Sequence, residues 1–249
     1  MAEPKYTLEK IKFATDNPTY KKACELYESG KIMNFDDNGF TYTAKVKGTE
    51  IYNVVVDTKY YDRGNCDCYL GKNDTLCKHM VAVAIYALLR GKKIPAEDKD
   101  VIINPICSNK IGELSKEEFA NIKVEISASI KHVKAYTGPS RTWFAYQDSL
   151  SEGVHRLSAI VSKLPVSLQT AELLVSLLLR LDKKLISGGV DDSDGVVGGF
   201  MQEVVGVLLE FTKKDAETIK AFKKLLGIET CFGWEELLVA VYDKSIASH

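Results

Sequence analysis

Three cysteines and one histidine are crowded into residues 66–79 as Cys66-x-Cys68, eight residues, then Cys77-x-His79. Thiolate and imidazole are soft to borderline ligands, and two close pairs of them make a tetrahedral Zn²⁺ site the first reading. A Cys₃His set fills the shell and leaves no position for water or substrate, so the chemistry is structural rather than catalytic. Two other readings compete with it. An iron–sulfur cluster usually takes four thiolates, which His79 argues against. A fortuitous group of buried cysteines would have to reproduce metal spacing twice. The eight-residue gap holds Gly71, Asn73 and Asp74 and is turn-rich enough to bring the pairs together. Residues 80–89 are apolar throughout and predict a buried helix ended by Gly91. Cys77 and His79 then fall at its N-terminus, where the helix dipole favours thiolate charge.

The run C-x-C-x₈-C-x-H, continued through Met80, Val81 and Ala82, resembles the SWIM zinc finger. That family's pattern is C-x-C-xₙ-C-x-H with an alanine three residues after the histidine. The four ligands Cys66, Cys68, Cys77 and His79 match, as does Ala82, and the resemblance covers residues 32–89. It implies one structural Zn²⁺, binding to DNA or protein, and no catalytic residues.

The elements that must position these ligands follow from the flanking pattern. Leu8, Ile11 and Phe13 make a weak helical patch. Asn17 as N-cap and Pro18 at the first helical position start a second helix, with Tyr20, Ala23, Cys24 and Tyr27 on one face and Gly30 at its end. A strand over residues 31–35 and a hairpin turn at Asp36-Asp37-Asn38-Gly39 come next. Phe40, Tyr42, Ala44 and Val46 alternate with polar residues as a second strand. Residues 51–56 make a third, and residues 60–68 an extended segment delivering the first ligand pair. So small a sheet is marginal alone, and metal binding adds folding free energy. The predicted organisation is a zinc-finger domain over residues 1–93, a linker over 94–114 rich in charge and proline, and an all-helical domain over 115–249. The fold class is therefore α+β: a small antiparallel sheet with a zinc site and a buried helix, then a helical bundle or helical-repeat-like domain.

The helical half opens with a capping box, Ser115-x-x-Glu118. Apolar rows follow through Ile122, Ile126 and Ile130, through Leu150, Val154 and Leu157, and from Ser167 to Leu185. Three more runs end the chain: Phe200 to Phe211; Ala216, Ile219, Phe222 and Leu226; and Trp234, Leu237, Leu238 and Val241. Between them, Asp191-Asp192-Ser193-Asp194-Gly195 invites a Ca²⁺ reading. The EF-hand register puts Val190 at position one and Met201 at position twelve, so it fails, and an acidic turn with Asp194 as helix cap is favoured. His132 and His155 are isolated on predicted helices, with no nucleophile beside them in sequence to suggest a triad, and His249 is the last residue. Trp143, Phe144 and Tyr146 have base-stacking chemistry but sit at helical spacing. The paired glycines 188–189 and 198–199 lack the rest of a phosphate loop.

The 249 residues carry a net charge of −1 and 45% hydrophobic content, enough for a real core and without a global field for nucleic acid. Residues 31–93 hold ten Lys and Arg against seven acids, and residues 94–249 eighteen against twenty-two. No apolar run reaches membrane-spanning length, and the first ten residues do not read as a signal peptide, so a cytoplasmic compartment, or a nuclear one, is expected. Cys24, Cys107 and Cys231 are expected to be reduced, packed thiols. The function that follows is a zinc-stabilised interaction module without catalysis, contacting protein or a DNA-associated complex, with the helical half docking a partner. The alternative is direct nucleic-acid binding through Lys45, Lys47, Lys59, Arg63, Lys72 and Lys78, with Lys92 and Lys93 beside them.

Overall fold

A computed structural model describes residues 3–247. The fold is α+β, and the chain forms two compact units, Met1–Val101 and Ile102–His249. Among the described residues no helix is long and apolar enough to cross a membrane.

The first unit begins with two helices, α1 (Leu8–Ala14) and α2 (Asn17–Glu28). The N-cap of α2 is Asp16, not Asn17: its carboxylate accepts from the Thr19 amide, and Pro18 falls one position inside the helix start. Strands β1 (Ile32–Asp37), β2 (Thr41–Lys47), β3 (Ile51–Asp57) and β4 (Gly64–Cys66) form one antiparallel sheet in chain order. β1 is longer than its sequence implied, because an irregularity between Met33 and Asp36 with Asn34 at φ +51° lets Asp37 pair with Tyr42. The turn consequently slides to residues 38–40. Phe40, expected in the inward row, is 81% exposed there, while Tyr42, Ala44 and Val46 are buried. Helix α3 (Lys78–Leu89) covers the inner face of the sheet and also packs on α2. Met80 to Ile85 are all buried, as expected of a helix that is apolar all round. Arg90 ends it in the left-handed region, where its guanidinium lies over Phe35 at 4.6 Å and pairs with Asp37 at 3.6 Å.

The stretch expected to link two domains is divided between the units. Ile94 and Val101 are buried in the first, where Tyr20 Oη donates to Asp98 O and Tyr27 Oη to Lys92 O. Residues 106–114 run along the second: Ile106 N donates to Ser162 Oγ, Ser108 Oγ to Leu164 O, and Leu114 N to Gln169 Oε1.

The second unit packs α4 (Lys116–Ile130), α5 (Trp143–Val161), α6 (Leu168–Ser187), α7 (Val196–Lys214) and α8 (Glu236–Ala247) around one apolar cluster. The Ser115–Glu118 capping box is formed in both directions. Residues Ala216–Leu225 are a 3₁₀ helix, not the α-helix their apolar row suggested. Its buried residues are Thr218, Ala221, Phe222 and Leu225, and Leu226 is exposed. Leu237, expected inside, is likewise exposed, while Trp234 and Leu238 of the same row are buried. His249 lies outside the described residues.

Candidate metal centre

The ladder between β3 and β4 pairs Val54 with Cys66, so Cys66 faces inward beside the buried Val54 and Val56. Cys68 follows just past the end of β4. The chain then makes a short 3₁₀ turn (Gly71–Asn73) and returns at Cys77, the N-cap of α3. His79 is therefore in the first turn of α3, and a one-turn element plus a helix start bring four separated side chains together. All four are buried, and their ligating atoms lie within 4.8 Å of one another.

Finer distances test whether an ion fits. His79 Nδ1 lies 3.7 Å from Cys66 Sγ and 3.9 Å from Cys77 Sγ. A tetrahedral ion with metal–sulfur bonds of about 2.3 Å and metal–nitrogen bonds of about 2.0 Å separates such donors by roughly 3.6 Å. These two pairs thus have the spacing of a four-coordinate site, with His79 facing the thiols through Nδ1. Its Nε2 is buried without a hydrogen-bond partner among the described residues. The Gly71 amide donates to Cys68 Sγ at 3.4 Å, as a backbone N–H does to a thiolate. Hydrogen bonding from Cys66 pulls the Cys77 thiol well down, and the same bond, with burial, pushes Cys66 up. The amide of Met80 at the start of α3 also favours charge on Cys77. These four residues can hold a metal ion.

The shell around the ligands contains residues that motif reading did not find. Tyr52 stacks on the His79 ring at 4.4 Å between centroids, and Gly48 faces Nε2 so closely that a methyl there would sit 2.9 Å away. Strand alternation carries the signal for Tyr52, since it shares the inward side of β3 with Val54 and Val56. Gly71 was visible only as a turn residue, yet its absent side chain is what lets the backbone of Cys66 approach.

Searches of protein-family models, curated proteins and solved structures find no match to this chain.

The candidate nucleic-acid residues do not form one patch. Lys45 and Lys47 project from the open face of β2, opposite Asn53 and Ile51. Lys72, in the loop between ligand pairs, lies near Asp67, whose carboxylate binds Asn53. Lys59 and Arg63 are in the β3–β4 loop at the other end of the strands, about 20 Å from Lys47 at strand rise. Arg63 lies over the Tyr60 ring at 4.1 Å, and Lys78 is half-buried at the start of α3.

In the second unit the acidic loop has a structural occupation. Asp192, rather than Asp194, caps α7, accepting from the amides of Val197 and Gly198. Gly195, at φ +68°, folds the loop back so that Asp192 reaches those amides. Asp191 accepts from Trp143 Nε1 and from the Ser193 side chain, which hold its carboxyl below the usual range. Trp143 is thus pinned by Asp191, Tyr146 is buried in the core, and only Phe144 of the three aromatics stands largely exposed. His132 pairs with the buried Glu152 at 3.6 Å. Cys24, Cys107 and Cys231 are free thiols; burial pushes Cys24 up to about 11, and burial with Asp182 pushes Cys231 up to about 12.

Proposed function

We propose that Cys66, Cys68, Cys77 and His79 hold one structural Zn²⁺, and that the protein is a non-catalytic interaction module acting in protein or DNA-associated complexes. The observation that carries this reading is the closed, buried Cys₃His group at tetrahedral spacing. Soft thiolates with one imidazole favour zinc over hard oxygen-seeking cations. The resemblance of the motif to SWIM zinc fingers supports the same partner classes. A four-stranded sheet with one covering helix gains from a metal cross-link that joins β4 to α3. The helical unit, with its own core, is the partner-docking half of this reading.

Direct nucleic-acid binding is the second reading, favoured by one observation: Lys45, Lys47 and Lys72 are exposed around the open face of the sheet. The separation of Lys59 and Arg63 from that group limits it to few simultaneous phosphate contacts.

Elemental analysis of the purified chain tests the metal: one zinc per chain is the expected result, and Cys68→Ser or His79→Ala abolishes it and unfolds the first unit. The loss is on the order of 10 kcal/mol of metal-linked folding energy in small zinc domains. Iron in place of zinc, or no metal in chain purified without chelator, overturns the proposal. Binding to duplex and single-stranded DNA across a salt series separates the two readings.

A further inference from the structure

The second unit carries a groove of about 480 Å³ between α4 and α6. The two helices run in the same direction along it. Leu114, just before α4, bonds Gln169 at the start of α6, and Arg180, late in α6, reaches Ser127 of α4 at 3.3 Å. The floor is apolar: Ile126, Leu173 and Leu177 are buried beneath it, and Phe119 is half-buried at one end. The rims are basic, with Lys123, Arg180 and Lys224. Lys224 pairs with Glu172 at 3.2 Å. Lys123 lies over the Phe119 ring and Arg180 donates to a serine hydroxyl; among the described residues neither has a carboxylate partner. This local positive charge stands on a unit with seventeen Lys and Arg against nineteen Asp and Glu, so it is not a general property of the surface.

The dimensions narrow the guest. Lining residues run from Phe119 to Ser127 on one wall and from Gln169 to Arg180 on the other. At helical rise those walls are about 12 and 17 Å long, the length of two to three helical turns. We infer that the groove seats an amphipathic helix of two to three turns from a protein partner, acidic along its polar edges. Apolar anchors at i, i+4 and i+7 would lie on the Phe119–Ile126–Leu177 floor, as in other helix-in-groove complexes. Flanking carboxylates would supply the partners that Lys123 and Arg180 lack. The apolar floor disfavours a phosphate backbone as guest. The inference rests on the proposal that the helical unit docks a protein, and it is independent of the metal centre.

The test uses the full chain with its zinc content measured in every sample. The probe is a fluorescein-labelled helical peptide of about three turns, with leucines at i, i+4 and i+7 and glutamates flanking them. Two control peptides have lysine for glutamate, or the same composition scrambled. By anisotropy, the acidic peptide binds at least about tenfold more tightly than either control, and Lys123→Glu with Arg180→Glu reverses the preference between acidic and basic peptides. Both substituted residues are exposed, and a circular dichroism melt checks that the double variant keeps its fold. Equal binding of the scrambled peptide, or an unchanged affinity in the double variant, overturns the inference. So does a homodimer in light scattering that the double variant dissolves, since the occupant would then be a second copy. Loss of zinc with peptide binding intact would count against the metal centre and leave the groove standing.

Discussion

Replacing Gly71 by alanine is the sharpest test of the centre's packing, because the residue is not a ligand. It opens the 3₁₀ turn between the ligand pairs, outside the left-handed region, so the added methyl acts through space alone. That methyl would sit 2.2 Å from the carbonyl oxygen of Cys66 and 2.6 Å from its Cβ. Ordinary carbon contacts lie at about 3.5–4.0 Å, so one of the two segments must retreat by about 1 Å or more. The segment in the way carries a ligand, and metal–ligand distances tolerate only about 0.2 Å. The displacement is therefore about five times what the shell can absorb. Perturbing the residues that orient ligands costs roughly 10–100-fold in metal affinity, or about 1.4–2.8 kcal/mol. Overpacking a tight site costs about 1–3 kcal/mol, the same range from an independent argument. Competition against a colorimetric zinc chelator gives the affinity, and a near-ultraviolet circular dichroism melt gives the stability. Gly206→Ala is the control: it is exposed within α7 with nothing inside 4 Å, and a gain of about 0.5–1 kcal/mol is expected there. If Gly71→Ala retains wild-type zinc affinity and melting, the close approach of Gly71 to Cys66 is wrong and the reasoning fails with it.

Asp182 Oδ1 accepts from Cys231 N, Cys231 Sγ and Trp234 Nε1, each at 2.9 Å, so Asp182→Ala strands buried donors. Urea unfolding should show a loss of about 3 kcal/mol or more, with Asp182→Asn in between. Asp191 should give the second unit an acid-sensitive contribution. The Ser193 and Trp143 bonds depress its folded pKa, so this stabilisation is present above the unfolded value of about 3.9 and is lost as pH falls through the folded one. Asp191→Asn should flatten that acid limb in a Trp143 fluorescence titration; an unaltered limb would show that the loop is not held by this carboxylate. If the second functional reading holds, Lys45, Lys47 and Lys72 replaced together by alanine should reduce the salt slope of DNA binding by about 0.9 per lost phosphate contact while the zinc content stays the same. A slope that does not change would remove these three residues from any DNA surface.

The ligand set and the order of elements were legible because they are local. Cys66, Cys68, Cys77 and His79 stand at spacings that a turn and a helix start convert directly into a cluster, and the uninterrupted apolar run after them could only be a buried helix. The Ser115–Glu118 box was readable for the same reason, since both partners lie within one helical turn. Two misplaced features depended on backbone geometry that the residue pattern does not carry. The bulge at Asn34 is set by pairing with β2, and it moved the hairpin turn and put Phe40 into solvent. Asp192 displaced Asp194 as the cap of α7 because Gly195 turns the loop back on the helix, a conformation that the run of aspartates does not encode.

The basic residues show the division most clearly. Their sequence spacing suggests one surface, but the length of β3 carries Lys59 and Arg63 away from Lys45 and Lys47. The groove between α4 and α6 is legible in neither helix alone, since each reads as an ordinary amphipathic segment. Composition and periodicity report which residues leave water. Which backbones approach closely enough to need Gly71 beside Cys66, and which cations end up beside an open apolar floor, is decided when distant segments pack.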